Sequence, residues 1–173
     1  MPYTPKLKTM AQLIAVATIA MACSLTSTLA SQKVKYKGFR WDYNTWQGFS
    51  TAFIRNSHFQ LEFMCNQAEF EHQINLRKRQ KGTDGDTVPL FADNNLLVTI
   101  SGVGRSATFE MNDGTAKPFG TMGMQALAEA TDIIISSKEF YVEIPDKDFK
   151  TRFSSTDAKD AIEGVNEDCT MLQ

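Results

Sequence analysis

The sequence predicts an α+β fold: a mainly antiparallel sheet with one or two short helices, the C-terminal helix packed on the sheet. Three observations carry this prediction. Apolar and polar residues alternate in several short runs, Asn, Asp and Gly clusters separate those runs, and only two segments read as helix. The chain has 173 residues, 42% of them apolar and 22% charged, and a formal net charge of −2. That suits one domain with a buried core and excludes a disordered charged tail, a collagen-like repeat and a disulfide-dense miniprotein. The near-neutral charge also argues against a nucleic-acid partner.

Residues 1–30 read as a signal peptide, and residues 31–173 as a single exported α+β domain. Lys6 and Lys8 precede an apolar run from Ala11 to Cys23, which gives way to small and polar residues up to Ala30. A positive start, a short apolar core and a small-residue exit are the order of a secretory signal. The run falls short of the roughly 20 apolar residues of a spanning helix. Thr28-Leu29-Ala30 favours cleavage before Ser31. Ala20-Met21-Ala22-Cys23 resembles a lipoprotein signal, which would place a lipid anchor on Cys23, but the leucine usual three residues earlier is missing. Residues 1–30 hold Lys6 and Lys8, so the remainder keeps 16 of the 18 basic residues and all 20 acids, a net charge of −4.

Phe39, Trp41 and Tyr43 alternate with Arg40 and Asp42, which is strand spacing, and Lys33, Lys35 and Lys37 suit a protected edge. Trp46, Phe49 and Phe53 then fall at i, i+3 and i+7, which points to a short helix or turn that Gly48 weakens. His58 to Cys65 and Phe70 to Leu76 alternate around a polar break, the pattern of an antiparallel hairpin. The basic run Arg77 to Lys81 leads into a Gly/Asp loop at 82–86. Leu96, Val98 and Ile100 predict a strand, turned at Gly102-Val103-Gly104 into a second one with Ala107, Phe109 and Met111. Asn112-Asp113-Gly114 is a further hairpin signal. Met122 to Ala130 reads as a short helix; Ile133 to Ile135, Phe140 to Ile144 and Phe149 to Phe153 read as strands. The last helix should start at a capping box of Ser154 and Asp157, with Ala158, Ala161, Ile162 and Val165 as its apolar stripe. The predicted core contains Phe59, Leu61, Phe63, Val98, Ile100, Phe109, Ile133, Ile135, Val142 and Ile162.

Candidate chemistry is sparse. His58 and His72 have no third metal ligand at a recognisable spacing, so no metal site is expected. Ser50 sits in a corrupted G-x-S-x-G elbow without the strand–turn–helix context that the motif needs. Asp84-Gly85-Asp86 lacks the ordered oxygen ligands of a calcium loop. With no P-loop or dinucleotide fingerprint, no cofactor is expected, and the absence of a convergent acid, base and nucleophile favours a non-catalytic protein. Cys65 and Cys169, the cysteines left after cleavage, should form a disulfide in an exported chain.

Two binding features stand out. Trp41, Tyr43 and Trp46 could form an aromatic platform, although core burial is the commoner fate of such residues. Arg77, Lys78, Arg79 and Lys81 make a basic cluster at a loop edge, opposed by the acidic last helix with Asp157, Asp160, Glu163, Glu167 and Asp168. Such a polarised surface suits a protein or envelope-polymer partner. The sequence thus reads as a periplasmic or secreted binding or accessory protein of the bacterial envelope. A cell-envelope hydrolase with an unrecognised site and a lipid-anchored lipoprotein are the alternatives.

Overall fold

A computed structural model describes residues 39–81, 86–118 and 120–170. The expected signal peptide, Cys23, the lysines at 33, 35 and 37 and most of the 82–86 loop lie outside the described residues. The chain folds as two antiparallel sheets and two helices. Strands β1 (Asp42–Trp46), β2 (Phe49–Arg55), β3 (Phe59–Asn66), β4 (Glu71–Arg79) and β5 (Thr87–Pro89) follow one another in the first sheet. Strands β6 (Leu96–Gly102) and β7 (Arg105–Met111) begin the second sheet. The two-residue β8 (Thr115–Ala116) then returns to the free flank of β4. After helix α1 (Gly120–Ser136), β9 (Glu139–Ile144) pairs with β6, and β10 (Phe149–Ser154) with β9; helix α2 (Ala158–Thr170) ends the described chain. The second sheet therefore runs β10-β9-β6-β7. Helix α2 packs on the first sheet and α1 on the second.

Alternation decides which face each strand buries. Tyr43, Ala52, Phe63 and Ile74 form one cross-strand row of the first sheet, and Thr45, Ser50, Cys65 and His72 form the next. Both rows face α2, whose Ala158, Ala161, Ile162, Val165 and Cys169 are buried. The opposite face carries Arg55, Gln60, Glu62, Asn75 and Arg77. Trp41 joins the sheets: its ring lies 6.0 Å from Phe63 and 6.3 Å from Phe140, and its indole N–H donates to the Ser154 carbonyl at 3.0 Å. Of the predicted core, all are buried except Phe59 and Ile135, which are half-buried at its margin.

Four expectations need correction. Of the helix or turn expected around Trp46, Phe49 and Phe53, the turn forms and the helix does not: Trp46 and Phe49 are cross-strand partners in a hairpin. Gln47 (φ 49°) and Gly48 (φ 82°) both adopt left-handed backbone, as the two-residue turn that matches strand twist requires. Ile133 to Ile135 belong to α1 and form no strand. Leu127, Ala130 and Ile134 repeat at helical spacing, and complete burial of Ile133 and Ile134 outweighs the weak helix preference of β-branched residues. The Asn112-Asp113-Gly114 turn forms, but β7 and β8 share one bridge before β8 crosses to β4. Gly114 is needed there, because a Cβ would sit 3.0 Å from Pro89 and 3.2 Å from the Leu76 carbonyl. Finally, Ser154 does not cap α2. It ends β10 and its hydroxyl accepts the Thr156 N–H, while Asp157 pairs with Arg40.

Candidate functional site

Each end of the first sheet carries a polar cluster. At the end that carries the β1–β2 turn, Asp168 projects from α2 onto the strand row of Thr45 and Ser50. Its Oδ2 accepts hydrogen bonds from the Tyr43 hydroxyl, from Thr45 Oγ1 at 2.9 Å and from Ser50 Oγ at 2.5 Å. Gln67 Nε2 donates in turn to Ser50 Oγ at 2.8 Å. Burial pushes the Asp168 carboxyl up, but the hydroxyls of Ser50, Tyr43 and Thr45 together outweigh it and hold the pKa below the ordinary 3.8. Burial, reinforced by the Asp168 hydrogen bond, raises the Tyr43 phenol above 10.0. Ser50 is fully buried, and among the described residues no histidine hydrogen-bonds to it. Its hydroxyl fastens α2 to the sheet through Asp168.

One residue beyond Asp168, Cys169 is disulfide-bonded to Cys65 with a Cα–Cα separation of 6.1 Å, within the usual range. Cys169 continues the buried stripe of Ile162 and Val165, so α2 runs unbroken through Gly164. Gly164 lets the helix approach the sheet: a Cβ there would meet the Tyr43 ring at 3.3 Å. His72 lies directly across from Cys65 on β4, while His58 precedes β3 at the far end of the hairpin. The two histidines thus do not face each other.

At the opposite end, around the β2–β3 turn, a cleft of about 610 Å3 opens between the first sheet and β10. Its lining includes Phe39, Arg55, His58, Phe59, Glu139 and Arg152. Asn56 builds its wall. Its Oδ1 accepts the N–H groups of His58 and Phe59 at 3.0 and 2.8 Å, and its Nδ2 donates to Thr151 Oγ1 at 2.9 Å and to the Arg152 carbonyl at 3.1 Å. That one side chain closes the turn and ties it to the second sheet. Arg55 lies over the Phe53 ring at 4.6 Å, and Arg152 pairs with Glu139 at 3.3 Å, both partners exposed. Arg79 reaches the same turn, with its Nη1 donating to the Asn56 carbonyl at 3.1 Å.

Of the basic cluster read from the sequence, Arg77, Lys78 and Arg79 form the end of β4 and divide by face, while Lys81 follows the strand. Arg77 lies on the outer face, held by Glu62 at 3.1 Å, with Asn75 donating to the same carboxylate. Lys78 is exposed opposite Phe59, and Lys81 is exposed just beyond β4. Arg55 and Arg152, which supply the cleft, were not singled out by the sequence, and His58 was weighed only as a metal ligand, because nothing in a linear reading links β2 with β10. The proposed aromatic platform does not exist as a unit. Trp41 is buried, Tyr43 faces α2, and Trp46 is exposed on the other face beside Phe49.

No family model, curated protein or solved structure matches this chain significantly. Any functional reading thus rests on the site itself. The acidic ridge keeps three of its five residues: Asp160, Glu163 and Glu167 are exposed on α2, with Lys159 3.8 Å from Glu163, whereas Asp157 precedes the helix and pairs with Arg40, and Asp168 turns inward. Among the described residues no helix is long and apolar enough to cross a membrane.

Proposed function

We propose that this chain is an exported, non-catalytic binding or accessory protein whose basic cleft engages an anionic protein or envelope polymer. One observation carries the reading: Arg55, His58, Arg79 and Arg152, from four separate elements or turns, converge on one end of the first sheet around an open cleft. Glu139 is the single acid in its described lining. A concave site with arginines and aromatic walls suits an anionic ligand. Its field steers anions toward it, and the acidic ridge on α2 repels them from the other flank. Export draws its support from the residue order of 1–30, and the Cys65–Cys169 bond is compatible with it.

The test uses polyphosphate and poly-glutamate as anionic probes and dextran as the neutral control. Binding of at least one anionic probe should weaken steeply with salt and fall tenfold or more in an Arg55→Glu/Arg152→Glu variant that melts like the parent. Equal binding by that variant, or equal binding of dextran, overturns the reading. The two probes also separate phosphate from carboxylate recognition.

A further inference from the structure

We propose that the reduced chain holds one Zn2+ ion through Cys65 Sγ, Cys169 Sγ and a ring nitrogen of His72. The ligand atoms of these three residues lie within 4.8 Å of one another. They come from three elements, β3, α2 and β4, and the fold brings them together by two independent means. Cys65 and His72 are register partners on adjacent strands, which puts their side chains side by side. Cys169 descends from α2 onto that pair. A tetrahedral zinc site needs Zn–S distances of about 2.3 Å and Zn–N of about 2.0 Å, so its ligand atoms stand roughly 3.5–3.8 Å apart. Opening the disulfide moves the sulfurs outward toward that spacing, and a small approach of the imidazole completes it.

The chemistry of the donors fits. Both cysteines are buried and offer thiolates that a cation would neutralise in place. Two thiolates and an imidazole suit Zn2+ better than Mg2+ or Ca2+, which prefer oxygen. His72 is half-buried, so it provides the way in and leaves a fourth position for water. The step balances as follows. An external dithiol gives two electrons and two protons to the Cys65–Cys169 bond and becomes a disulfide itself. Zinc capture then releases the two thiol protons to solvent. The same three side chains would thus close α2 onto the sheet by a covalent bond when oxidised and by a metal when reduced.

The experiment titrates the purified chain, oxidised or reduced anaerobically with a phosphine, with Zn2+ against a chromophoric chelator, and with Co2+ for its spectrum. The reduced chain should take one equivalent of Zn2+ and show a thiolate-to-cobalt charge-transfer band, and the oxidised chain should take none. His72→Ala should weaken Zn2+ binding tenfold or more, with both thiols still titrating and the oxidised variant melting like the parent. Cys65→Ser should abolish binding. Far-ultraviolet circular dichroism follows the fold throughout. No stoichiometric binding by the reduced chain, equal affinity in His72→Ala, uptake by the oxidised chain, or a reduced chain that unfolds and is not restored by Zn2+ each overturn the proposal.

Discussion

At the β1–β2 end of the first sheet, one carboxylate takes three hydroxyl donors and a disulfide closes the gap beside it. At the β2–β3 end, Arg55, Arg152 and His58 line a cleft with one carboxylate, Glu139, among them. Both ends are polar, yet their chemistry runs in opposite directions. The first satisfies its charge internally, and such clusters rigidify a fold. The second gathers arginines from β2, β4 and β10 at an open cleft, where the ion pair of Arg152 with Glu139 is exposed to solvent. Density of polar residues does not distinguish a site from a structural fastening; the balance of donors and acceptors does.

The comparison can be broken most strongly at the disulfide. Replacing both Cys65 and Cys169 by Ala should lower stability by about 4–5 kcal/mol as an upper figure, since the bond closes a loop across 104 positions. Urea unfolding measures it. Phe63→Ala, in the row beside Cys65, should cost about 3–5 kcal/mol as for other buried phenylalanines; a loss under half a kcal/mol would mean that the first sheet buries its other face.

Asp168→Ala should cost about 1–3 kcal/mol, because it leaves the fully buried Ser50 hydroxyl without its acceptor. It should also change the acid response. The folded-state pKa of Asp168 is lowered, so its contribution is present above the ordinary 3.8 and is lost as pH falls through the lower folded value. Tyr43 works in the other direction, contributing below its ordinary 10.0 and losing that contribution as pH rises through the raised folded value. Melting temperature followed against pH should therefore fall less in acid for Asp168→Ala than for the parent. At the basic end, Arg152→Glu should change stability by no more than about 0.5 kcal/mol, since its ion pair with Glu139 is exposed. A large loss there would make the cleft a second fastening.

What could be read from the sequence depended on how local the signal was. The β3–β4 hairpin was legible because its alternation and turn are contiguous. The disulfide was legible because Cys169 repeats the helical spacing of Ile162 and Val165. Ile133 to Ile135 misled because three β-branched residues in a row look like strand until the core that buries them is known. Trp46, Phe49 and Phe53 left helix and turn undecided because a two-residue turn can mimic a helical interval. The cleft was illegible for a different reason. Arg55 and Arg152 stand almost a hundred positions apart, and tertiary contacts such as the Asn56 bonds to β10 make them neighbours.

The Cys65–Cys169 bond also makes a covalent ring. β4, β5, the whole second sheet and most of α2 lie between its two anchor points. A single proteolytic cut anywhere within that span leaves both pieces joined, and the two fragments separate only after reduction. One nick within the ring therefore does not release half of the molecule.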